Sequence, residues 1–125
     1  MTFFFDNTFP PKIPELLRIL GVDATHLQDH FPANTMDRDF IPHVGERGWV
    51  LVTGDNNQNR QPAEKKALED NKVIAVFVYR GFTHLKIFPQ VAYIVKNWPA
   101  IAERVAKVRP GTSLEINVNG KIEIL

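Results

Sequence analysis

The sequence predicts an α/β fold with three layers: a mostly parallel central sheet flanked by helices, then a C-terminal helical segment and a β-hairpin. Two observations support this fold class. Short, continuously apolar segments, typical of strands covered on both faces, alternate along the chain with segments whose apolar residues recur at helical spacing. Such alternation builds βαβ units, in which the strands are parallel and the crossovers right-handed. The chain has 125 residues, the length of one ordinary domain, so we expect a single domain over residues 1–125.

The first half of the chain contains three predicted strands and two predicted helices. Thr2–Phe5 is a short, bulky, apolar run that stops at Asp6, as a buried strand would. Apolar residues recur at helical spacing from Ile13 to Leu20, and Gly21 directly after them is typical of a helix end. The other elements are expected at Val22–Leu27 (strand), Asp37–Glu46 (helix, weakened by Pro42 unless that residue lies in the first turn) and Trp49–Thr53 (strand).

The second half begins with a polar loop and ends in a predicted hairpin. A helix is expected over Pro62–Asn71, because proline at its start and Glu64 in its first turn suit a helix N-terminus. Val73–Tyr79 has the pattern of a buried strand. Residues 84–108 are helical in tendency, with breaks or new starts expected at their two prolines. Asn119-Gly120 lies between two alternating segments, which is a strong hairpin signal.

Composition and charge exclude several classes of function. The chain has no cysteine, which excludes disulfides, Cys-ligated zinc, iron–sulfur clusters and thiol nucleophiles, and its only serine, Ser113, has no G-x-S-x-G context. Fifteen Lys and Arg against 14 Asp and Glu leave a net charge of +1, so bulk charge does not argue for nucleic acid. No apolar run reaches about 18 residues and the N-terminus lacks a signal peptide's basic start, so we expect a soluble, cytoplasmic protein without a membrane partner. Phosphate-binding glycine motifs for nucleotide cofactors are missing.

Acidic residues follow or open several of these elements at one end of the predicted sheet. Asp6 comes directly after the first strand and Asp55 just after the third, and these strands are natural neighbours in this topology. Asp37 opens the second helix toward the same edge, with Asp39 beside it. Carboxylates brought together raise one another's pKa unless a divalent cation neutralises them, and carboxylate oxygens suit Mg²⁺ or Mn²⁺. The alternative is that each Asp is a helix cap or a loop residue.

Five stretches of the chain carry a family resemblance. They are Phe3–Pro10 (an apolar strand, Asp, then Pro), Leu16–Leu27, Met36–Ile41 (the acidic start of a helix), Gly48–Asp55 (a strand ending in Thr-x-Asp) and Arg60–Leu68 (R-x-P-A-E-x-x-A-L). In this order they resemble the PIN-like domains of the VapC toxin type, a family of small prokaryotic ribonucleases. The resemblance covers about residues 2–82, some two-thirds of the chain.

The resemblance implies a metal-dependent ribonuclease that holds Mg²⁺ or Mn²⁺ with clustered acidic residues and cleaves RNA. Such proteins are often the toxin of a toxin–antitoxin pair, so a cognate antitoxin protein is an implied partner. The implied site also contains an additional carboxylate and a guanidinium. The guanidinium can donate two parallel N–H bonds to phosphate oxygens. Carried over by position, the residues are Asp6, Asp37 and Asp55 for catalysis and metal binding, Asp39 and Glu64 as additional carboxylates, and Arg60 as the phosphate or RNA contact. Asp39 is also the alternative to Asp37, because the sequence does not fix the phase of that helix.

Several alternatives stay open at this point. Many relatives of this type have Glu where this chain has Asn7, which favours a degraded PIN-like module that acts through protein or RNA binding. A phospho-acceptor receiver domain also places Asp after strands one and three, but the further acidic residue that it carries beside the first Asp is missing next to Asp6. His26 and His30 are four residues apart, yet their strand-to-loop context favours structural roles over a metal pair. The predicted hairpin has an open edge, so a homodimer is a further hypothesis.

Overall fold

The computed structural model of the chain describes residues 1–54 and 62–125. In these residues six strands form one sheet in the order β2-β1-β3-β4-β5-β6, with every neighbouring pair parallel except β5 and β6. The strands are β1 (Phe3–Phe5), β2 (Ala24–His26), β3 (Val50–Thr53), β4 (Ala75–Val78), β5 (Ser113–Ile116) and β6 (Ile122–Ile124). The helices are α1 (Lys12–Ile19), α2 (Asp37–Glu46), α3 (Pro62–Asp70) and α4 (Ile87–Val105), with short 3₁₀ helices at Leu27–Asp29 and Arg80–His84. The predicted α/β class is confirmed.

The parallel strands are apolar at successive positions because the sheet is covered on both faces. In β1, Phe3 and Phe5 lie in one hydrophobic core and Phe4 lies in the other. The same alternation sends successive residues of β3 and β4 into the two cores. A strand with two covered faces needs an apolar side chain at each position, so the Phe-Phe-Phe run reflects burial on both sides of the sheet.

The four helices form the two outer layers. One core is closed by α1 and α4, whose buried residues include Ile13, Leu17, Ile94, Trp98 and Ile101. The other core is closed by α2 and α3, whose buried residues are Phe40, Ile41, Val44 and Leu68. No helix in residues 1–54 or 62–125 is both long and apolar enough to cross a membrane.

The prolines are where the structure differs from the prediction. α4 runs unbroken through both of its prolines: Pro89 is its third residue, where a helical N–H has no partner, and Pro99 lies inside it. Pro42 also lies inside α2, beyond the first turn. Pro42 and Pro99 are exposed, as are Arg38 and Val95, whose carbonyl groups lose a helical partner at these prolines. The new helix start expected at Pro89 is confirmed, since that residue lies in the first turn of α4. The break expected at Pro99 was wrong, because water can solvate the freed carbonyl while the buried face of the helix stays packed.

The predicted hairpin is confirmed, with its turn fastened to α4. The Gly120 N–H donates to the Asn117 carbonyl (3.0 Å), and the φ of Gly120 is +86°, a conformation that favours glycine. The Asn117 side-chain oxygen accepts from the backbone N–H groups of Asn119 and Lys121, each at 2.9 Å. The Tyr93 hydroxyl of α4 donates to the Asn117 carbonyl (2.7 Å), and burial raises the pKa of Tyr93. The position of the hairpin is therefore fixed by the helix beneath it.

Candidate active site

Five parallel strands, β1 to β5, end at the same edge of the sheet, and β1 to β4 each precede a helix in the chain. The ends of β1, β2 and β3 lie side by side, because Phe5 is in register with His26 on one side and with Val52 on the other. In open α/β sheets ligands bind beyond such strand ends. We call this region the carboxyl edge; its described parts are Asp6–Phe9, His26–Asp29, Thr53-Gly54 and Arg80–His84.

Asp6 is the acidic residue that the structure buries at the carboxyl edge, with 5% of its surface exposed. One of its carboxylate oxygens, Oδ1, accepts hydrogen bonds from the backbone N–H of Thr8 (3.0 Å) and from the Thr8 hydroxyl (2.5 Å). The side chain thus closes a turn with its own chain two residues on. The Phe9 N–H donates to the Asp6 carbonyl (3.1 Å) and tightens the same turn. Asp6 is consequently held in one orientation at the end of β1.

Thr8 also links the end of β1 to the end of β3. Its hydroxyl oxygen accepts from the backbone N–H of Gly54, at 2.6 Å, while donating its own proton to Asp6. Gly54 is buried, and a Cβ added to it would lie 2.8 Å from Cγ2 of Thr83 and 3.2 Å from the Thr8 hydroxyl. Only glycine fits there without displacing its neighbours. The residue that directly precedes Asp55 is therefore tied to the loop that contains Asp6.

His26 fastens the other side of the Asp6 loop. It is almost fully buried, and its Nδ1 accepts from the Gln28 backbone N–H (3.1 Å). The ring proton is therefore assigned to Nε2, which donates to the Phe9 carbonyl (2.8 Å). Both ring nitrogens are used within the protein, and His30 instead contacts the Thr25 hydroxyl (2.8 Å). The two histidines thus make separate contacts, His26 with backbone groups and His30 with Thr25.

Asn7 is committed to contacts on the opposite side of the loop. Its side-chain oxygen accepts from the Gln28 amide (3.0 Å), and its side-chain nitrogen donates to the Ala33 carbonyl. Asn7 thus joins the turn after β1 to the first 3₁₀ helix and to the loop that leads to α2. Asn7 therefore organises the loops on this side of the carboxyl edge.

The other acidic candidates lie at helix starts. Asp37 is the first residue of α2 and is half-buried, whereas Asp39, in the same turn, is exposed. Glu64 is the third residue of α3 and is half-buried. Acidic side chains in a first helical turn are favoured by the helix dipole, so each position also has a structural explanation. The greater burial of Asp37 makes it the better candidate of the two aspartates of α2.

The described residues hold only part of the predicted site. Asp55 and Arg60 both lie outside the described residues. In residues 1–54 and 62–125, no three His, Asp or Glu side chains come close enough together to hold a metal ion. The structure brings Asp6 to the end of β3, next to the chain that continues into Asp55. It does not assemble a metal site from Asp6, Asp37 and Glu64 alone.

Sequence reasoning missed Thr8 as a positioning residue and expected a structural role for His26 without identifying its partners. A signal for Thr8 was available, because an Asp followed two residues later by a hydroxyl residue is a common local turn pattern. The sequence offered no comparable signal for His26. Its two partners are backbone groups of different loops, which only the folded arrangement of β1 and β2 brings together.

Comparison with known proteins identifies one family. The family model described as PIN like domain matches residues 1–80 of the chain. The matched region contains β1 to β4 and the loops of the carboxyl edge as far as Arg80. The searches of curated proteins and of solved structures found no match.

Proposed function

The chain belongs to the PIN-like domain family, and from this membership we propose that it is a metal-dependent ribonuclease. The family assigns a nuclease-type fold. The proposed reaction is hydrolysis of an RNA phosphodiester bond, and the proposed biological role is that of the toxin in a toxin–antitoxin pair in the cytoplasm. Asp6, Asp37 and Asp55 are the proposed catalytic residues.

The observation that carries this proposal is the link from Asp6 through Thr8 to Gly54. It places a buried carboxylate at the end of β1 and ties it to the residue directly before Asp55. A nuclease that uses two carboxylates from neighbouring strands needs both strand ends at a fixed separation. A single hydroxyl group that accepts from one strand end and donates to the carboxylate of the other provides that constraint.

The donor set fits a hard divalent cation. The candidate ligands are carboxylate oxygens, which Mg²⁺ and Mn²⁺ prefer, whereas the chain has no cysteine and both ring nitrogens of the buried His26 are engaged within the protein. Asp6, Asp37 and Asp55 would hold the ion, which when bound would activate water and stabilise phosphoryl oxygens. Glu64 is proposed as an additional carboxylate.

The chain's own groups would then bind and orient the RNA. Arg60 is proposed to contact a phosphate through its planar guanidinium. The Lys65 and Lys66 side chains at the start of α3 are exposed, and Lys66 forms an ion pair with Asp70 at 3.1 Å. This pairing favours a solvated helix face over an RNA contact for Lys66.

The test is cleavage of a mixed RNA pool by the purified chain with Mn²⁺ and with EDTA. We expect Asp6→Asn and Asp55→Asn each to lower the cleavage rate by about 100-fold or more, because each removes a proposed ligand charge. The matched control is Asp70→Asn, the same substitution at the far end of α3, which should cleave like the unmodified chain. Cleavage that survives EDTA and both edge substitutions would show that the chemistry is not at this edge.

A second candidate function is a degraded PIN-like module that binds RNA or protein without cleaving. Asn7 favours this function, because its side-chain oxygen accepts from Gln28 and its side-chain nitrogen donates to the Ala33 carbonyl. The side chain is thus engaged in contacts within the protein. This function predicts no cleavage of any RNA by the unmodified chain and no heat of Mn²⁺ binding in a calorimetric titration. Mn²⁺ binding that Asp6→Asn abolishes would instead support a nuclease whose RNA target was absent from the pool.

A further inference from the structure

The two outer strands of the sheet, β2 and β6, differ in whether side chains cover their outward-facing backbone groups. At the β2 edge, the outward Ala24 carbonyl accepts from Nη1 of Arg18 (2.9 Å), and the His26 N–H donates to Oδ2 of Asp29 (3.0 Å). Arg18 and Asp29 also lie 3.8 Å apart as an ion pair. Side chains thus occupy backbone groups that another strand would otherwise use. This edge is closed to further strand pairing.

The β6 edge has no such cover among the described residues, where β6 pairs with β5 alone. The Lys121 carbonyl accepts from the Asn117 N–H and the Leu125 N–H donates to the Ser113 carbonyl, each at 2.9 Å. Backbone groups alternate in direction along an antiparallel strand. Those of Ile122 and Ile124 therefore point away from β5, toward the open edge. An exposed row of this kind is a template for another strand.

The charged side chains of β6 determine which strand can pair with it. Lys121 and Glu123 lie on one face of β6 and form an ion pair at 3.1 Å. If a second β6 adds antiparallel about a two-fold axis at Ile122, each Lys121 lies directly opposite Glu123 of the second copy, which is favourable. An axis at Glu123 or at Lys121 would set like charges opposite one another. The edge is therefore complementary to itself in one register.

Shape supports the same register. Ile124 is 58% exposed, on the face of β6 that α4 covers. On that face lies a cleft of about 340 Å³. It is lined by Ala100 and the charged residues Glu103, Arg104 and Lys107 of the α4 region, and by Gly120 and Ile122 of the hairpin. With the axis at Ile122, Ile124 of the second copy lies opposite Gly120, which has no side chain to fill the cleft. Gly120 cannot gain one, because a Cβ there would collide with Oδ1 of Asn97.

We propose that β6 pairs antiparallel with β6 of a second copy of this chain, with the two-fold axis at Ile122, so that two six-stranded sheets become one. Ile124 of each copy fills the cleft over Gly120 of the other. β4 and β5 separate β6 from β3, so the proposed pairing uses none of the residues proposed for catalysis and does not rest on the proposed nuclease activity.

The test is sedimentation equilibrium of the unmodified chain and of two charge variants, Glu123→Lys and Lys121→Glu. Each variant sets like charges opposite one another, and we expect each to weaken the dimer by about tenfold or more. Mixing the two variants restores both complementary pairs and should yield a heterodimer about as tight as the unmodified dimer. Lys66→Glu, the same charge change on α3, should leave the dimer unchanged, and circular dichroism should show every variant folded.

Three results would overturn the proposal. They are a monomeric mass for the unmodified chain at about 100 μM, a dimer that neither charge variant weakens, and variants that are weakened but do not form a heterodimer when mixed. The last result would indicate another strand or another protein as the occupant of this edge.

Discussion

Thr8 joins the two strand ends of the candidate site through a single hydroxyl group. That hydroxyl donates to Asp6 and accepts from the buried Gly54 N–H. Loss of the hydroxyl would leave the buried Gly54 N–H without an acceptor. An unsatisfied buried donor lowers the free energy of unfolding more than the loss of an exposed hydrogen bond does.

We expect Thr8→Val, which keeps the shape of the side chain, to lower the free energy of unfolding by about 1–3 kcal/mol. The same substitution should lower RNA cleavage, because Asp6 and the chain leading to Asp55 lose their common anchor. Thr8→Ser keeps the hydroxyl and is the matched control, expected close to the unmodified chain in both respects. Urea unfolding followed by circular dichroism measures the stability. Equal stability of the Val and Ser variants would contradict this role for the hydroxyl.

At the residue scale, the sequence predicted which acidic residue would stand at a strand end but not how it would be held. Asp6 could be located because β1 is a continuous apolar run that stops there. Its partners could not, because the Thr8 bond to Gly54 spans 46 positions of sequence and depends on β1 and β3 being neighbours. The catalytic and binding roles of all the candidate residues stay predictions: Asp6, Asp37, Asp55, Asp39, Glu64 and Arg60.

At the scale of elements, the predictions from local patterns held within a few residues. α2 has the predicted bounds, Asp37–Glu46, and the hairpin forms around Asn119-Gly120 as expected. The errors came where tertiary packing overrides local preference. Pro99 was expected to break a helix whose buried stripe, including Trp98, holds it together on the other side.

The closed β2 edge predicts a pH dependence of stability. The His26 N–H bond to Asp29 is the largest cause that lowers the pKa of Asp29 below its ordinary value of 3.8, and the Thr25 hydroxyl and Arg18 charge add to it. A lowered pKa in the folded state stabilises the fold above pH 3.8, and this contribution is lost as the pH falls through the folded pKa.

We therefore expect Asp29→Asn to unfold at a lower urea concentration than the unmodified chain near neutral pH. The gap between the two urea midpoints should close as the pH falls below about 4. Asp70→Asn is the control, because it removes an exposed carboxylate whose surface ion pair contributes little. A gap for Asp29→Asn that stays constant down to about pH 2 would show that its charge does not stabilise the β2 edge.

At the scale of the whole molecule, the family match stops at residue 80 but the fold does not. The core that contains Phe3 and Phe5 is closed by α4 and completed by Leu114 and Ile116 of β5. β5 also adds to the sheet beside β4. The region with the candidate site therefore depends on the C-terminal third of the chain for one covered face of its sheet. A single domain over residues 1–125 stays a prediction.

The indole of Trp98 packs that C-terminal third against β1. It packs edge-on against Phe3, with ring centroids 4.7 Å apart, and stacks on Phe5 at 5.8 Å. We expect Trp98→Ala to lower the free energy of unfolding by about 3–5 kcal/mol, because it opens a cavity beneath the strand that ends in Asp6. Phe88→Ala is the matched control, since Phe88 lies on the same helix but is 85% exposed, and it should change stability by less than about 0.5 kcal/mol. Urea unfolding of both variants measures these changes in the free energy of unfolding. A large loss for Trp98→Ala alone would show that the sheet needs both of its outer layers. Equally small losses for the two variants would mean that the region matched by the family model does not depend on packing against α4.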